Sequence, residues 1–131
     1  MKIAKQYIST AADHLIKTNA LAAQAFEEVY SSILNNVTTG SDHFILNCTC
    51  KNCNGVVPVK ERCYQILEEE FGWYREKPLT YFHKDAQKGG PIDVYKEFIT
   101  GHSFFRSGLE FETGNISSAH RSMNKLCVGI K

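Results

Sequence analysis

Long apolar segments are missing from this sequence of 131 residues. None approaches the ~20 consecutive apolar residues that a membrane-spanning helix requires. The N-terminal stretch MKIAKQYISTAADHL also lacks the apolar core of a secretion signal. We therefore expect no membrane span and a cytoplasmic location.

A surplus of charge of either sign is also missing, because 15 basic and 14 acidic residues leave a formal net charge of +1. This balance argues against a protein that holds nucleic acid only through a general positive field. A binder with a few locally placed Lys and Arg side chains remains open. The length, with 43% hydrophobic and 22% charged residues, predicts a single globular domain over residues 1–131.

The sequence has five cysteines but lacks a regular pattern for metal binding or disulfides. Cys48, Cys50, Cys53 and Cys63 have the spacing C-x-C-x2-C-x9-C, which differs from the paired C-x2-C arrangement of common zinc sites. The fifth, Cys127, makes the number odd, which argues against a disulfide framework. Reduced thiols in a cytosolic protein are the simpler interpretation. A cysteine-zinc interaction module is kept as a competing hypothesis.

Apolar residues recur at helical spacing in two parts of the chain. Over residues 11–34 they predict one long helix, with a stripe made of Leu15, Ala22, Ala25, Phe26, Val29 and Ile33. A second helix is predicted to begin at Pro58 and to end near Gly72. Its stripe comprises Val59, Cys63, Ile66 and Leu67. Residues 43–47 predict a short strand between the two helices.

The segments IDVYKEFI and FFRSGLEFET are both strand-like, and the turn signal TGHS separates them. A hairpin whose turn is centred between residues 101 and 102 has a defined register, which the structure can test. Three favourable cross-strand pairs follow: Ile99 with Phe104, Glu97 with Arg106, and Tyr95 with Gly108, whose missing side chain leaves room for the ring.

The next pair in this register is an unfavourable one, because it sets Asp93 opposite Glu110, with Glu112 further along the same face. Facing carboxylates repel each other. A divalent metal resolves the conflict, since Mg²⁺ is bound through carboxylate oxygens, waters and substrate phosphate. Lys88 and the two glycines after it would let a phosphate chain approach nearby. Solvated surface acids are the alternative, and the register alone does not decide.

The segment TGNISSAHRSMNKLCVGI begins with the capping residues Thr113 and Asn115 and continues with helical periodicity. A polar face carries Ser117, Arg121 and Lys125 at four-residue spacing. Such groups, beside a helix start, suit phosphates and base edges. A packing stripe comprises Ile116, Ala119, Met123, Leu126 and Ile130. A plain amphipathic helix with a solvated face is the alternative, and this segment alone favours it.

Four runs in order, KNCNGVVPVKERCY, WYREKPL, KGGPIDVYKEFI and EFETGNISSAHRSMNKL, closely resemble BamHI-type type II restriction endonucleases. The resemblance covers residues 51–131 and is weak upstream. It implies an α/β fold with a mixed central β-sheet flanked by helices, the PD-(D/E)xK nuclease core. It also implies a homodimer that cleaves double-stranded DNA at the palindrome GGATCC, as G/GATCC with 5′-phosphate ends, using Mg²⁺ or Mn²⁺ in its place. Family chains continue past the position of Lys131.

The resemblance implies an acidic active site made of Glu76, Asp93, Glu110 and Glu112. Asp93 and Glu110 would bind the metal directly, and Glu76 would complete the metal site partly through water. Glu112 stands where most relatives of this nuclease class have lysine. It would act as general base or orient the attacking water, and both roles stay open.

The same mapping implies DNA contacts in the polar helix and outside it. Asn115, Ser117 and Arg121 become major-groove base readers, while Lys60 and Lys88 become phosphate contacts. The apolar stripe of the helix would pack into a dimer interface, so that two identical subunits match a palindromic site. A non-catalytic DNA-binding module that keeps this helix is the competing function.

Overall fold

The computed structural model describes residues 6–36, 57–77 and 91–111, together with residues 122, 123 and 126. The chain divides into two compact units, Met1–Phe71 and Gly72–Lys131. The first contains helices α1 (Thr10–Thr18), α2 (Ala20–Leu34) and α3 (Val57–Phe71), and the second contains strands β1 (Tyr74–Lys77), β2 (Ile92–Thr100) and β3 (Ser103–Leu109). None of the helices in these described ranges is long and apolar enough to cross a membrane.

The single helix predicted over residues 11–34 is wrong, because the chain forms two helices that meet at Asn19. Asn19 has an extended backbone, with φ −126° and ψ 113°. Its side-chain oxygen accepts hydrogen bonds from the amides of Leu21 and Ala22, at 2.9 and 3.1 Å. Asparagine is among the best residues at a helix start because its side chain satisfies amides that lack a partner in the helix. Local capping therefore outweighs the continuous apolar spacing.

Replacing Asn19 by alanine is expected to lower the free energy of unfolding by about 1 kcal/mol, since both amide partners lose their acceptor. Asn19→Asp keeps the acceptor and is expected to stay close to the parent chain. Urea unfolding of the three proteins measures the difference. Equal stability of the alanine and aspartate variants would show that the cap contributes nothing.

The predicted stripe of the first helical region is only partly buried. Ala22 and Ala25 are buried, whereas Leu15 is 41% exposed. The remaining stripe residues line a pocket of about 360 Å³, together with the segment before α1; its lining is Gln6, Tyr7, Ile8, Phe26, Val29, Tyr30 and Ile33. Part of the stripe thus faces a cavity instead of close-packed core.

The second predicted helix is confirmed as α3. Gly72 follows its last residue with φ +69°, a left-handed conformation that glycine adopts without steric cost. Within the predicted stripe, Cys63, Ile66 and Leu67 are buried. The apolar spacing and the terminal glycine were therefore sufficient to predict this element.

Cys63 is a free, buried thiol. Its sulfur lies 3.3 Å from the Ser32 hydroxyl oxygen. Burial raises the pKa of the Cys63 thiol, and the hydrogen bond with Ser32 acts in the opposite direction. A buried thiol that is hydrogen-bonded to Ser32 agrees with the reduced-cysteine interpretation. The other four cysteines, and the strand predicted over residues 43–47, lie outside the described residues.

The predicted hairpin is confirmed, in the predicted register. All three expected pairs are present: Ile99 with Phe104, Glu97 with Arg106, and Tyr95 with Gly108. Gly101 in the turn has φ +55°, which suits glycine. The Arg106 Nε donates to Glu97 Oε1 at 3.0 Å, so the opposite-charge pair is a direct contact.

Strand β1 was not predicted. It pairs antiparallel with β2, so the described strands form a three-stranded antiparallel sheet in the order β1-β2-β3. The strand has only four residues, YREK, and three of them are charged. A strand this short and this charged does not show the alternation of apolar and polar residues by which strands are recognised in a sequence.

The two faces of β2 differ in character. Ile92, Val94 and Phe98 are buried on one face. Trp73, which precedes β1, packs edge-on against Phe98 with ring centroids 5.9 Å apart. The opposite face carries Asp93, half-buried, and the more exposed Glu97. The apolar face anchors the sheet, and the other face presents the acids.

The described elements agree with the α/β class, since helices and an antiparallel sheet are both present. The mixed sheet flanked by helices and the single domain over residues 1–131 stay predictions.

Candidate active site

Asp93 and Glu110 lie across from each other, just beyond the last backbone pair of the hairpin, Val94 with Leu109. The Asp93 amide donates to Glu110 Oε1 at 3.2 Å. In return, the Phe111 amide donates to Asp93 Oδ2 at 3.2 Å. Each carboxylate therefore accepts an amide from the opposite segment, and the predicted juxtaposition of the two acids is confirmed.

This reciprocal arrangement shows how two like charges are kept together. Hydrogen bonds from amides stabilise a carboxylate, because they are charge-assisted. These hydrogen bonds do not occupy the full acceptor capacity of the carboxylate, which has about four lone-pair positions. Asp93 and Glu110 are both half-buried, so they retain contact with solvent. The pair can accept a cation on its open side.

Glu97 is a useful contrast on the same strand and the same face. Its Oε1 accepts hydrogen bonds from the Tyr95 hydroxyl at 2.8 Å and from Arg106 Nε at 3.0 Å. A guanidinium thus balances Glu97 directly, and no second carboxylate faces it across the hairpin. The sheet therefore carries one acid that is paired with a guanidinium, Glu97, and two acids that face each other, Asp93 and Glu110.

Ser122 is a further member of the site that the sequence did not reveal. It is 4% exposed, and its hydroxyl donates to Glu110 Oε2 at 3.1 Å. The two residues are 12 positions apart, and no spacing rule for helices or strands joins them. Sequence reasoning singled out the polar face at Ser117, Arg121 and Lys125, whereas Ser122 falls beside the apolar stripe residue Met123.

Glu76 has an unusual backbone in β1. Its neighbours Arg75 and Lys77 pair with Val94 and Ile92, so Glu76 stands at the level of Asp93. Its φ of +51° is left-handed, which costs a non-glycine residue about 1 kcal/mol or more. Such conformations cluster at functional sites. The left-handed backbone breaks the regular alternation of the strand, so register alone does not direct this side chain to the pair.

The donor set of the acidic pair fits a hard divalent cation. In the part of the chain that the structure describes, no group of three or more His, Cys, Asp or Glu side chains is placed to hold a metal ion. The structure thus brings Asp93 and Glu110 together without Glu76 as a third member. Mg²⁺ is commonly held by one or two carboxylates, with water and substrate phosphate as the other ligands. Two adjacent carboxylates satisfy that requirement.

The predicted DNA contacts are described only in part. Lys60 is half-buried on α3, with its ammonium 5.5 Å from the centre of the Tyr64 ring. Ser122, Met123 and Leu126 are helical, in agreement with the predicted helix after the acids, and Met123 is 65% exposed. The predicted site residues outside the described ranges are Lys88, Glu112, Asn115, Ser117 and Arg121.

Comparison with known proteins gives a family match over the full chain. The family described as restriction endonuclease BamHI matches residues 1–131. The type II restriction enzyme BamHI of Bacillus amyloliquefaciens is 53% identical over 132 residues, which cover 100% of this chain and 62% of that enzyme. The type II restriction enzyme OkrAI of Oceanobacter kriegii is 41% identical over 91 residues, or 70% of this chain and 43% of that enzyme.

These matches extend the resemblance found in the sequence. The family match also covers the residues upstream of 51, since it begins at residue 1. Of the two relatives, BamHI is the more similar to this chain, and the chain spans 62% of its length. The chain belongs to the BamHI restriction endonuclease family.

Proposed function

We propose that this protein is a type II restriction endonuclease that hydrolyses double-stranded DNA at GGATCC, as G/GATCC with 5′-phosphate ends, in a divalent-metal-dependent reaction. The observation that carries the proposal is the reciprocal Asp93–Glu110 pair, which holds two carboxylates side by side where a cation is required. Membership in a restriction endonuclease family, and two relatives named as type II restriction enzymes, support it. The fold would be the PD-(D/E)xK core.

In this proposal Asp93 and Glu110 would hold Mg²⁺, or Mn²⁺ in its place, and Glu76 of β1 would complete the metal site partly through water. The bound cation would activate water, stabilise charge on the scissile phosphate and assist departure of the 3′ oxygen. Glu112 orients the attacking water or accepts its proton. The backbone amides of Asp93 and Phe111 keep the two carboxylates oriented between turnovers.

The polar segment after the acids reads the DNA. Asn115, Ser117 and Arg121 contact base edges in the major groove, where amide, hydroxyl and guanidinium groups distinguish base pairs. Lys60 and Lys88 contact phosphates, which position the protein on the duplex. The active form is a homodimer in the cytoplasm, since a palindromic site matches two identical subunits.

Digestion of a plasmid with one GGATCC site tests this function. The full-length natural protein is expected to linearise the plasmid with Mg²⁺ and to leave it intact with EDTA. A matched plasmid in which one base pair of the site is changed is expected to stay uncut, because a mismatched base pair costs about 1–3 kcal/mol in binding alone. Cleavage in EDTA would refute the metal-dependent mechanism. Binding without cleavage would favour the non-catalytic DNA-binding module.

A further inference from the structure

Glu110 is held by donors on both of its carboxylate oxygens. The Asp93 amide donates to Oε1 at 3.2 Å, and the Ser122 hydroxyl donates to Oε2 at 3.1 Å. Ser122 is 4% exposed, so water competes poorly for this hydroxyl. The rotation of the Glu110 carboxylate is therefore set from two sides.

The two donors differ in whether a substitution can remove them. The Asp93 amide is part of the backbone and follows from the hairpin register itself. Ser122 comes from a segment outside the hairpin, and its contact depends on one side-chain hydroxyl. A carboxylate that accepts two hydrogen bonds still has lone pairs for a cation. Hydrogen-bonded carboxylates of this kind are usual among metal ligands, where the outer donors orient the ligand and tune its affinity for the ion.

We propose that Ser122 is a positioning residue that orients the Glu110 carboxylate for binding of the divalent cation. The inference rests on the proposed function, because it presumes a cation at Asp93 and Glu110. Ser122 would act through Glu110 and not as a ligand of the cation itself. Its hydroxyl contacts Glu110 Oε2, and its loss removes a buried donor that holds this oxygen in the orientation that the ion requires.

A purely structural role for this buried hydroxyl makes a different prediction. In that case removal would lower stability and leave the affinity for the cation unchanged. Ser32 offers a matched control in the other compact unit, since it is also buried and its hydroxyl also donates within the protein, to the Val29 carbonyl at 2.8 Å. Comparing Mg²⁺ affinity in the two serine variants separates the general effect of losing a buried hydroxyl from the effect of losing the Ser122–Glu110 contact.

The test uses Ser122→Ala, Ser122→Thr and Ser32→Ala in the full-length protein. Mg²⁺ binding is measured by calorimetry on complexes with a GGATCC duplex that carries a nonhydrolysable scissile linkage. Ser122→Ala is expected to weaken Mg²⁺ binding by about 10- to 100-fold and to raise the Mg²⁺ concentration for half-maximal cleavage by the same factor. DNA affinity in EDTA is expected to stay unchanged. Ser122→Thr keeps the hydroxyl and is expected to restore most of the Mg²⁺ affinity.

Unchanged Mg²⁺ affinity in Ser122→Ala would overturn the proposal, as would an equal loss in Ser32→Ala. Urea unfolding of each variant verifies that the protein is folded under the conditions in which Mg²⁺ binding is compared. The parent protein is measured first: if it neither binds Mg²⁺ nor cleaves DNA, the proposed function fails. If the parent does both and Ser122→Ala matches it, only the role of Ser122 fails.

Discussion

Replacing Asp93 by asparagine is expected to slow DNA cleavage by about 10³-fold, or about 4 kcal/mol in activation free energy, while DNA binding in EDTA is retained. Asparagine keeps the shape of the side chain and an oxygen that can accept the Phe111 amide. It removes one of the two charges that would hold the cation. Single-turnover cleavage of a GGATCC duplex measures the rate of the chemical step.

The same substitution is expected to leave stability unchanged or to raise it by up to about 1 kcal/mol, because two facing carboxylates no longer repel. A functional site that lowers stability is common in enzymes. Glu97→Gln is the matched control on the same strand and face, and it is expected to cleave at nearly the parent rate. Similar losses in both variants would show that any acid on this face matters, which contradicts a specific role for the pair.

Replacing Trp73 by alanine is expected to lower the free energy of unfolding by about 3–5 kcal/mol. Trp73 is 2% exposed and packs edge-on against Phe98, which shares the apolar face of β2 with Val94. Its removal leaves a large cavity behind the strand that carries Asp93. Since Trp73 is the single tryptophan of the chain, urea unfolding is followed by far-ultraviolet circular dichroism instead of fluorescence.

Tyr74→Ala is the control for this substitution, because Tyr74 is adjacent in sequence and 67% exposed. Removing an exposed aromatic from a cross-strand pair is expected to cost about 1 kcal/mol or less. Equal destabilisation by the two substitutions would contradict the assignment of Trp73 to the core of the sheet.

The hairpin could be predicted in detail because several independent features agreed on one register. A turn with glycine, an opposite-charge pair and a glycine opposite Tyr95 all required the same alignment, and side-chain alternation allows no slip by one residue. The Asp93–Glu110 juxtaposition followed from that register without further assumption. α3 was predicted for a similar reason, since its apolar spacing and Gly72 indicated the same end.

Other features depend on contacts that no local pattern encodes. The break at Asn19 is a choice between continuing a helix and capping a new one, and the apolar spacing favoured the wrong outcome. β1 is too short and too charged to show alternation. No local pattern indicates the left-handed backbone of Glu76, and the Ser122–Glu110 bond joins segments that only the fold brings together.

The roles of the individual residues came mainly from resemblance. Composition and register could suggest a cation at Asp93 and Glu110, but they left solvated acids as an equal alternative. The reciprocal amide bonds now give the pair a defined geometry. Base recognition by Asn115, Ser117 and Arg121 stays a prediction, because nothing in the described residues bears on it.

The central claim is that Asp93 and Glu110 hold the catalytic cation, and direct titration of Mg²⁺ tests it. Calorimetry would compare the parent protein with the double variant Asp93→Asn, Glu110→Gln, each bound to a GGATCC duplex with a nonhydrolysable scissile linkage. The account predicts saturable Mg²⁺ binding by the parent complex and none by the folded double variant. Equal Mg²⁺ affinity in the two complexes would contradict it.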